Sequence, residues 1–318
     1  FPEPITLCII NFNGLGYLQE LIPELRALAV YFDEILIIDN ASVDGSREYL
    51  DTFNEIKVVA LDKNAGPAGA RNVGFLKAKH DIILFQDNDV SLQLGAAEAL
   101  YAALHQHSDI LLTVPRVVYK THPAVIQFES ANCHLSGMMS LCNANLRSDE
   151  TSLEATRTTS MVSACFMIDR SRWRYQSLRD ETLFDDTLIF NLEDHDLGVR
   201  ANLLGFIIMA VPRATVLHGS GTQGLSYRPG REVSATRMYC LIRNRWWIIL
   251  RYYSPRSLVL LLPILLAFEL FQLLGLLSRG WGRQWCRAFI DTIKHLPALF
   301  EQRKRYQAHR QRADVHRC

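Results

Sequence analysis

An α/β domain built on a mostly parallel sheet is the fold class this sequence predicts, and three observations predict it. Short apolar runs alternate with amphipathic stretches through the first half of the 318 residues. Polar clusters follow those runs at their carboxyl ends. A composition of 49% hydrophobic and 21% charged residues supplies a core and excludes disorder or a collagen-like fibre. The length suits one large domain with an appendage.

Residues 5–10 read as a buried strand, with Asn13-Gly14 as the turn after it and residues 17–28 at helical spacing. Residues 34–38 form the second strand, 46–53 a short helix and 56–60 the third strand. Residues 68–78 are a helix, 81–85 the fourth strand, 96–105 another helix and 110–114 the strand beyond it. Strands separated by helices imply parallel βαβ units, and ligands of such sheets lie beyond the carboxyl ends of the strands. Residues 119–160 read as polar, loop-like sequence. Residues 161–168 are a further strand, 194–203 a helix and 206–211 the strand after it. Past Arg231 the composition shifts to clustered aromatics around an apolar run at 258–277.

Net charge is +1, but residues 279–318 hold ten Lys/Arg against Asp291, Glu301 and Asp314, a balance of +7 that leaves −6 for the rest. A mildly acidic body with a basic tail excludes a general nucleic-acid binder and suits a tail that meets an anionic membrane surface. Seven scattered cysteines with no CxxC indicate neither a disulfide scaffold nor a zinc site. Cys8 and Cys165 lie in apolar runs as small hydrophobes, which implies a reducing, cytosolic setting. No signal peptide is read at the start, and Phe1 shows that the numbering need not begin at the natural terminus.

Polar residues collect after the first four strands: Asn11-Phe12-Asn13-Gly14, Asp39 to Ser46, Asp62 to Asn72, and Gln86-Asp87-Asn88-Asp89. One such loop is most simply a turn. Four on one sheet edge point to a ligand with several polar parts, such as a base, a ribose and a diphosphate. Asp87-x-Asp89 can place hard oxygen ligands for Mg²⁺ or Mn²⁺, although the spacing alone also fits an Asx turn. Gly66-Pro67-Ala68-Gly69 lets backbone approach a ligand, and Arg71 adds a forked phosphate partner. The loop is neither GxGxxG nor GxxxxGK[ST], so a dinucleotide oxidoreductase or a P-loop NTPase is not supported. Glu193, Asp194 and Asp196 stand in a helix's first turn, where acids offset the dipole or, facing a cleft, can serve as a general base. His218, before Gly219-Ser220-Gly221, is a structural histidine or a contact for metal or diphosphate.

Taken together, these stretches resemble glycosyltransferase family 2, the inverting enzymes of the GT-A fold. The resemblance rests on Asn11-Phe12-Asn13, Asp39-Asn40-x-Ser42-x-Asp44-Gly45-Ser46, Asn64 through Gly74, Asp87-x-Asp89, Glu193-Asp194-x-Asp196-Leu197 and His218. Within the family it is similar to the bacterial rhamnosyltransferase-like branch that builds surface polysaccharides. The resemblance implies that Phe12, Asn13 and Asp39 hold the nucleotide base side of the donor. Arg71 and Asp87 contact the nucleotide sugar, and Asp89 and His218 hold Mg²⁺ or Mn²⁺. Asp194 is the base, with Glu193 and Asp196 on the acceptor side. The implied donor is a UDP- or dTDP-sugar, dTDP-rhamnose among them, and the acceptor a glycan or lipid-linked hydroxyl. Phe12 departs from the family's more frequent Tyr and leaves nucleotide identity open.

The same reading divides the chain into a donor half (1–118), an acceptor half (119–235) and a C-terminal helical segment with a basic tail (236–318). Residues 258–277 have the length of a membrane span but include Pro263, Glu269, Gln272 and Gly275. Trp and Arg flank both sides, among them Arg243, Arg245, Arg251, Arg256, Arg279, Arg283 and Arg287. That pattern favours an in-plane or re-entrant helix on the cytoplasmic face over a simple span; a buried helix of the soluble fold is the plain alternative. Two other functions are less well matched by the residues. A non-catalytic glycan-assembly partner predicts a broken acid set, and here the acids stand. A nucleotidyltransferase wants a basic Gly-rich loop after the first strand, and Asn11 to Gly14 has no basic residue.

Overall fold

A computed structural model describes residues 1–176, 182–219 and 234–314; Ser220, Gly221, Arg231, Arg317 and Cys318 lie outside them. The predicted strands open the chain as β1 (Ile5–Asn11), β2 (Glu34–Asp39), β3 (Lys57–Ala60) and β4 (Ile82–Asp87), followed by a short β5 (Val90–Leu92) and β6 (Ile110–Tyr119). Ile5, Leu7 and Ile9 point into one core and Cys8 and Ile10 into another, so this run is covered on both faces. The connecting helices are α1 (Leu15–Leu28), α2 (Ser46–Leu50), α3 (Gly66–Lys77) and α4 (Ala96–Leu104). α1 and α4 bury Leu18, Leu21, Leu25 and Leu100 in the first core, while α3 buries Ala68, Ala70 and Phe75 in the second. β1 pairs in parallel with β2 and β4, and β2 with β3. That register sets Asn11 beside Asp39 and Ile10 beside Asp87, so the polar clusters share one edge.

Residues 119–160 are not a loop. They fold into β7 (His122–Phe128), β8 (Ser130–Cys133), β9 (Met139–Cys142) and β10 (Thr156–Thr158). Their side chains are mixed and partly exposed, so backbone pairing carries them and no apolar alternation announces them. β11 (Cys165–Asp169) then runs antiparallel between β4 and β6. After α5 (Arg170–Gln176) and α6 (Glu193–Leu203), β12 (Ile207–His218) pairs in parallel with β6. The strand order is β10-β12-β6-β11-β4-β1-β2-β3. The sheet is therefore mixed beyond β4. An apolar run has the same composition in either direction; the connection before β11 consists of strands rather than one crossover helix, and that sets its direction.

The C-terminal segment is α7 (Ala235–Tyr252), α8 (Pro255–Ser278) and α9 (Gly282–Ala308). Here the sequence reading needs a correction. Arg243, Arg245 and Arg251 are not placed to meet a membrane beside the apolar helix; they are buried inside the protein. Arg245 donates to Ser136 O and pairs with Glu269 of α8, and Arg251 donates to Asp185 Oδ2 at 2.7 Å. Trp246 and Trp285 both spend their indole N–H groups on Glu269, at 2.9 Å each. Half-buried Glu269 thus fastens α8 to α7 and α9, and Gln272 accepts from Arg245 as well, so the buried Arg245 charge has the partners its burial demands. The opposite side of α8 is bare and apolar: Val259, Leu260 and Phe271 are 73%, 77% and 79% exposed.

Candidate active site

At the end of β1, Asn11 donates to Asp39 Oδ1 (2.8 Å) and to Ser42 Oγ (3.1 Å), and accepts from Asn88 Nδ2 (2.7 Å). Asp39 Oδ2 accepts from the Ser42 amide at 3.1 Å. Asn13 gives its amide to Ser42 Oγ and receives that of Val43. These bonds fix Asp39 while leaving lone pairs on both its oxygens. Gly14 is needed here: a Cβ would sit 1.8 Å from Asn88 Nδ2. Phe12 is half-buried beside this network. Asp44 caps α1 by accepting from the Leu15 amide at 2.9 Å. At the start of α3 the Ala65 and Gly66 amides are taken by Asn40 and Asn64, so these two do not serve a phosphate.

The two acids after β4 divide. Asp87 accepts from Arg71 Nη2 at 2.5 Å. Burial raises its carboxyl above the usual range, with Arg71 opposing and Asp89 adding to the rise. Asp89 meets His218, because β5 pairs antiparallel with the end of β12 and sets Val90 opposite His218. Asp89 Oδ1 lies 3.3 Å from His218 Nε2, and His218 Nδ1 is 2.7 Å from Gln127 Oε1. With Nδ1–H donating to Gln127, a neutral imidazole turns its Nε2 lone pair on a carboxylate oxygen, and two electron-rich atoms face each other. A proton or a cation between them resolves the conflict. Mg²⁺ and Mn²⁺ accept such a short protein ligand set and complete their shell with phosphate oxygens and water. Among the described residues no group of three or more His, Cys, Asp or Glu could hold a metal ion.

Arg71 links these acids to the α6 acids. It is buried, and its Nη2 also donates to Ser163 O at 3.0 Å, while Nε and Nη1 have no partner among the described residues. Ser163 in turn donates its amide to Asp194 Oδ2 (3.3 Å), and the His195 amide holds Asp194 Oδ1 (2.8 Å). Burial raises Asp194, and Arg71 opposes the rise. Glu193 is pushed up to about 8 by burial and by Asp194, and its Oε2 has no partner among the described residues. Buried polar atoms left unmatched among the described residues, here on Arg71 and Glu193, are what a polar ligand can satisfy. Arg71, Asp87, Asp89, His218, Glu193 and Asp194 therefore converge, with Asp39, Asn13 and Phe12 at the neighbouring strand ends.

Asp196 keeps different company. Fully buried, it accepts from Tyr252 of α7 at 2.7 Å and lies 3.4 Å from Arg200 and 3.6 Å from Arg251. It ties α6 to α7. His195 is also interior, 2.7 Å from Ser160 Oγ, and burial lowers it to about 4. The turn before α6 is strained: Ile189, Asn191 and Leu192 have φ of 44°, 63° and 62°. Such conformations cost non-glycine residues about 1–3 kcal/mol each. Sequence reading passed over Ser163 and Gln127. Ser163 carries a faint signal, a polar residue inside the apolar run 161–168. A cavity of about 300 Å³ opens elsewhere, among Thr158, Asn202, Tyr252 and Arg312, and holds none of the converging acids.

The model of Glycosyl transferase family 2 matches residues 6–172, which include β1 through β4, Arg71, Asp87 and Asp89. The chain belongs to this family. A curated relative, the pre-mycofactocin glycosyltransferase of Mycobacterium tuberculosis, is 27% identical over 221 residues, 69% of this chain. The chain spans 43% of that relative's length. GalNAc-T7 with UDP, GalNAc and Mn²⁺ superposes with a TM-score of 0.61 at 18% identity, over 80% of this chain and 48% of that one. Residues 1–349 of Staphylococcus aureus TarS with UDP-GlcNAc superpose with a TM-score of 0.57 at 17% identity, over 96% and 89% of the two chains. The likeness is one of fold, and that fold is GT-A.

Proposed function

We propose that this chain is an inverting glycosyltransferase that moves a sugar from a UDP- or dTDP-sugar to a hydroxyl of a glycan or lipid-linked acceptor. The observation that carries the reading is Arg71. A buried guanidinium with two unmatched nitrogens joins Asp87, at the donor strand ends, to the Ser163–Asp194 junction. UDP in the GalNAc-T7 and TarS structures supports a nucleotide donor, and Mn²⁺ in the former supports a divalent ion. Residues 1–118 would then hold the donor and 119–235 the acceptor.

Asp39 accepts from a base N–H, Phe12 stacks on the ring and Asn13 holds the loop between them. Arg71 neutralises the diphosphate. Asp89 and His218 would hold Mg²⁺ or Mn²⁺, which when bound offsets charge on the leaving phosphates. Burial and the neighbouring Asp194 favour the protonated form of Glu193, and Asp194 is the acid we assign as base. Asp194 takes the acceptor's proton as its oxygen bonds to the anomeric carbon, the bond to diphosphate breaks, and configuration inverts. Asp196 acts on the acceptor side only through α7. The bare face of α8 and the basic tail would hold the enzyme at the cytoplasmic membrane surface, where a surface polysaccharide is assembled on lipid.

The test is a donor screen: UDP-, dTDP- and GDP-sugars, dTDP-rhamnose included, with Mn²⁺ or Mg²⁺, reading nucleoside diphosphate release with and without EDTA. Release that needs the ion and is lost in Asp194→Asn is expected. Full turnover by Asp194→Asn removes that residue from the role.

A further inference from the structure

We infer that Asn244 of α7 is a positioning residue for the proposed base, clasping the strained turn that carries Glu193 and Asp194. Asn244 is fully buried, and its side-chain Nδ2 donates to Leu188 O (2.8 Å), Phe190 O (3.0 Å) and Asn191 O (2.6 Å). Only an N–H₂ group can face three carbonyl oxygens, so the amide orientation is fixed by chemistry. Its own Oδ1 accepts from Arg243 Nε at 2.9 Å, which holds the side chain from behind.

The clasped segment is the one that left-handed backbone makes costly, with Ile189 at φ 44° and Leu192 at φ 62°. A β-branched residue there is a genuine outlier. Its other flank is closed as well: Ile189 O approaches to 2.7 Å of where a Cβ on Gly66 would be. The turn is therefore gripped between α3, which carries Arg71, and α7. Further grips come from Arg243 Nη2 to Thr187 O at 2.9 Å and Asn191 Nδ2 to Arg237 O at 3.4 Å. Leu192 precedes α6 without a side-chain cap, so the direction in which Asp194 leaves the helix start depends on that grip. Asn244 touches neither acid. It acts through the backbone.

This inference rests on Asp194 being the base, and the experiment separates the two. Asn244→Ala and Asn244→Asp are compared with wild type by hydrogen exchange, by calorimetric titration with UDP plus Mn²⁺, and by turnover of whichever UDP- or dTDP-sugar the wild type uses. Exchange of the 188–194 amides should rise about tenfold while the β1 and β4 amides hold. UDP affinity should stay within about twofold, and turnover should fall on the order of 100-fold, the scale of a small misplacement of a reacting group. Exchange that is unchanged, or that rises evenly across the sheet, overturns the clasp. So does normal turnover. If Asn244→Ala does not fold, Ile189→Gly is added to relieve the turn; the double variant should fold and transfer slowly, and full turnover in it sinks the proposal. Normal turnover in Asp194→Asn beside an impaired Asn244→Ala removes the base and leaves the clasp standing.

Discussion

His218 Nε2 stands 3.3 Å from Asp89 Oδ1, with Gln127 behind the ring at 2.7 Å. Two chain segments far apart in sequence are brought together by the pairing of β5 with β12, and the proposal makes this pair the ion's protein ligands. His218→Ala should therefore reduce the Mn²⁺-dependent part of UDP affinity by more than about tenfold. Gln127→Leu, which removes the partner that fixes the imidazole tautomer, should cost about tenfold without touching the ion. Calorimetry with UDP, plus and minus Mn²⁺, reads both. UDP affinity that ignores Mn²⁺ in the wild type would defeat the assignment.

Asp196 invites the opposite expectation. It is bonded to Tyr252 and ringed by Arg200 and Arg251. Tyr252→Phe leaves a buried carboxylate short of a donor and should destabilise by about 1–3 kcal/mol. At this chain length that lowers Tm by roughly 1–2 °C per kcal/mol, while UDP affinity stays put. A Tyr252→Phe protein with native Tm and weak UDP binding would return Asp196 to the site.

That contrast shows what was legible in the sequence. Asp87, Asp89 and Asp39 follow apolar runs, so their place at strand ends could be read from local pattern. Asp194 and Asp196 lie one residue apart from His195 and share a motif, yet α6 turns them to different neighbours. No local pattern says which of two acids on a helix start meets Arg71 and which meets Tyr252, because α7 decides it from across the fold. Residues 119–160 were missed for a related reason: short, mixed strands depend on partners that lie elsewhere in the chain. The C-terminal arginines misled because charge beside an apolar helix looks the same whether it seeks lipid headgroups or, like the buried Arg245, a carboxylate on that helix.

The bare face of α8 gives a membrane prediction with a direction. Leu260, Leu270, Phe271 and Leu274 are exposed, while Glu269 on the other side is tied to α7 and α9. A helix of 24 residues could cross a bilayer by length, but a crossing would carry those polar ties into hydrocarbon. An in-plane helix leaves them at the protein. Leu260→Glu with Phe271→Glu should therefore cut sedimentation with anionic vesicles by more than about tenfold, since each buried apolar side chain contributes about 1.5–3 kcal/mol. Alkaline carbonate should strip the wild type from membranes. Resistance to that wash would establish a span instead.

Glu193 gives the last prediction, in pH. Its carboxyl is pushed from 4.5 to about 8 by burial, with Asp194 adding to the rise. Between those two values the folded chain keeps a proton that the unfolded chain has released, so raising the pH works against the fold. The stability that the proton supports is complete below about 4.5 and is lost as pH climbs through about 8. Glu193→Gln mimics the protonated carboxyl at every pH. The variant should match wild-type Tm near pH 5 and exceed it by a few degrees, roughly 3–8 °C, near pH 9. Equal Tm curves for the two proteins from pH 5 to 9 would mean that Glu193 ionises freely, and the separation of roles between it and Asp194 would fall with that result.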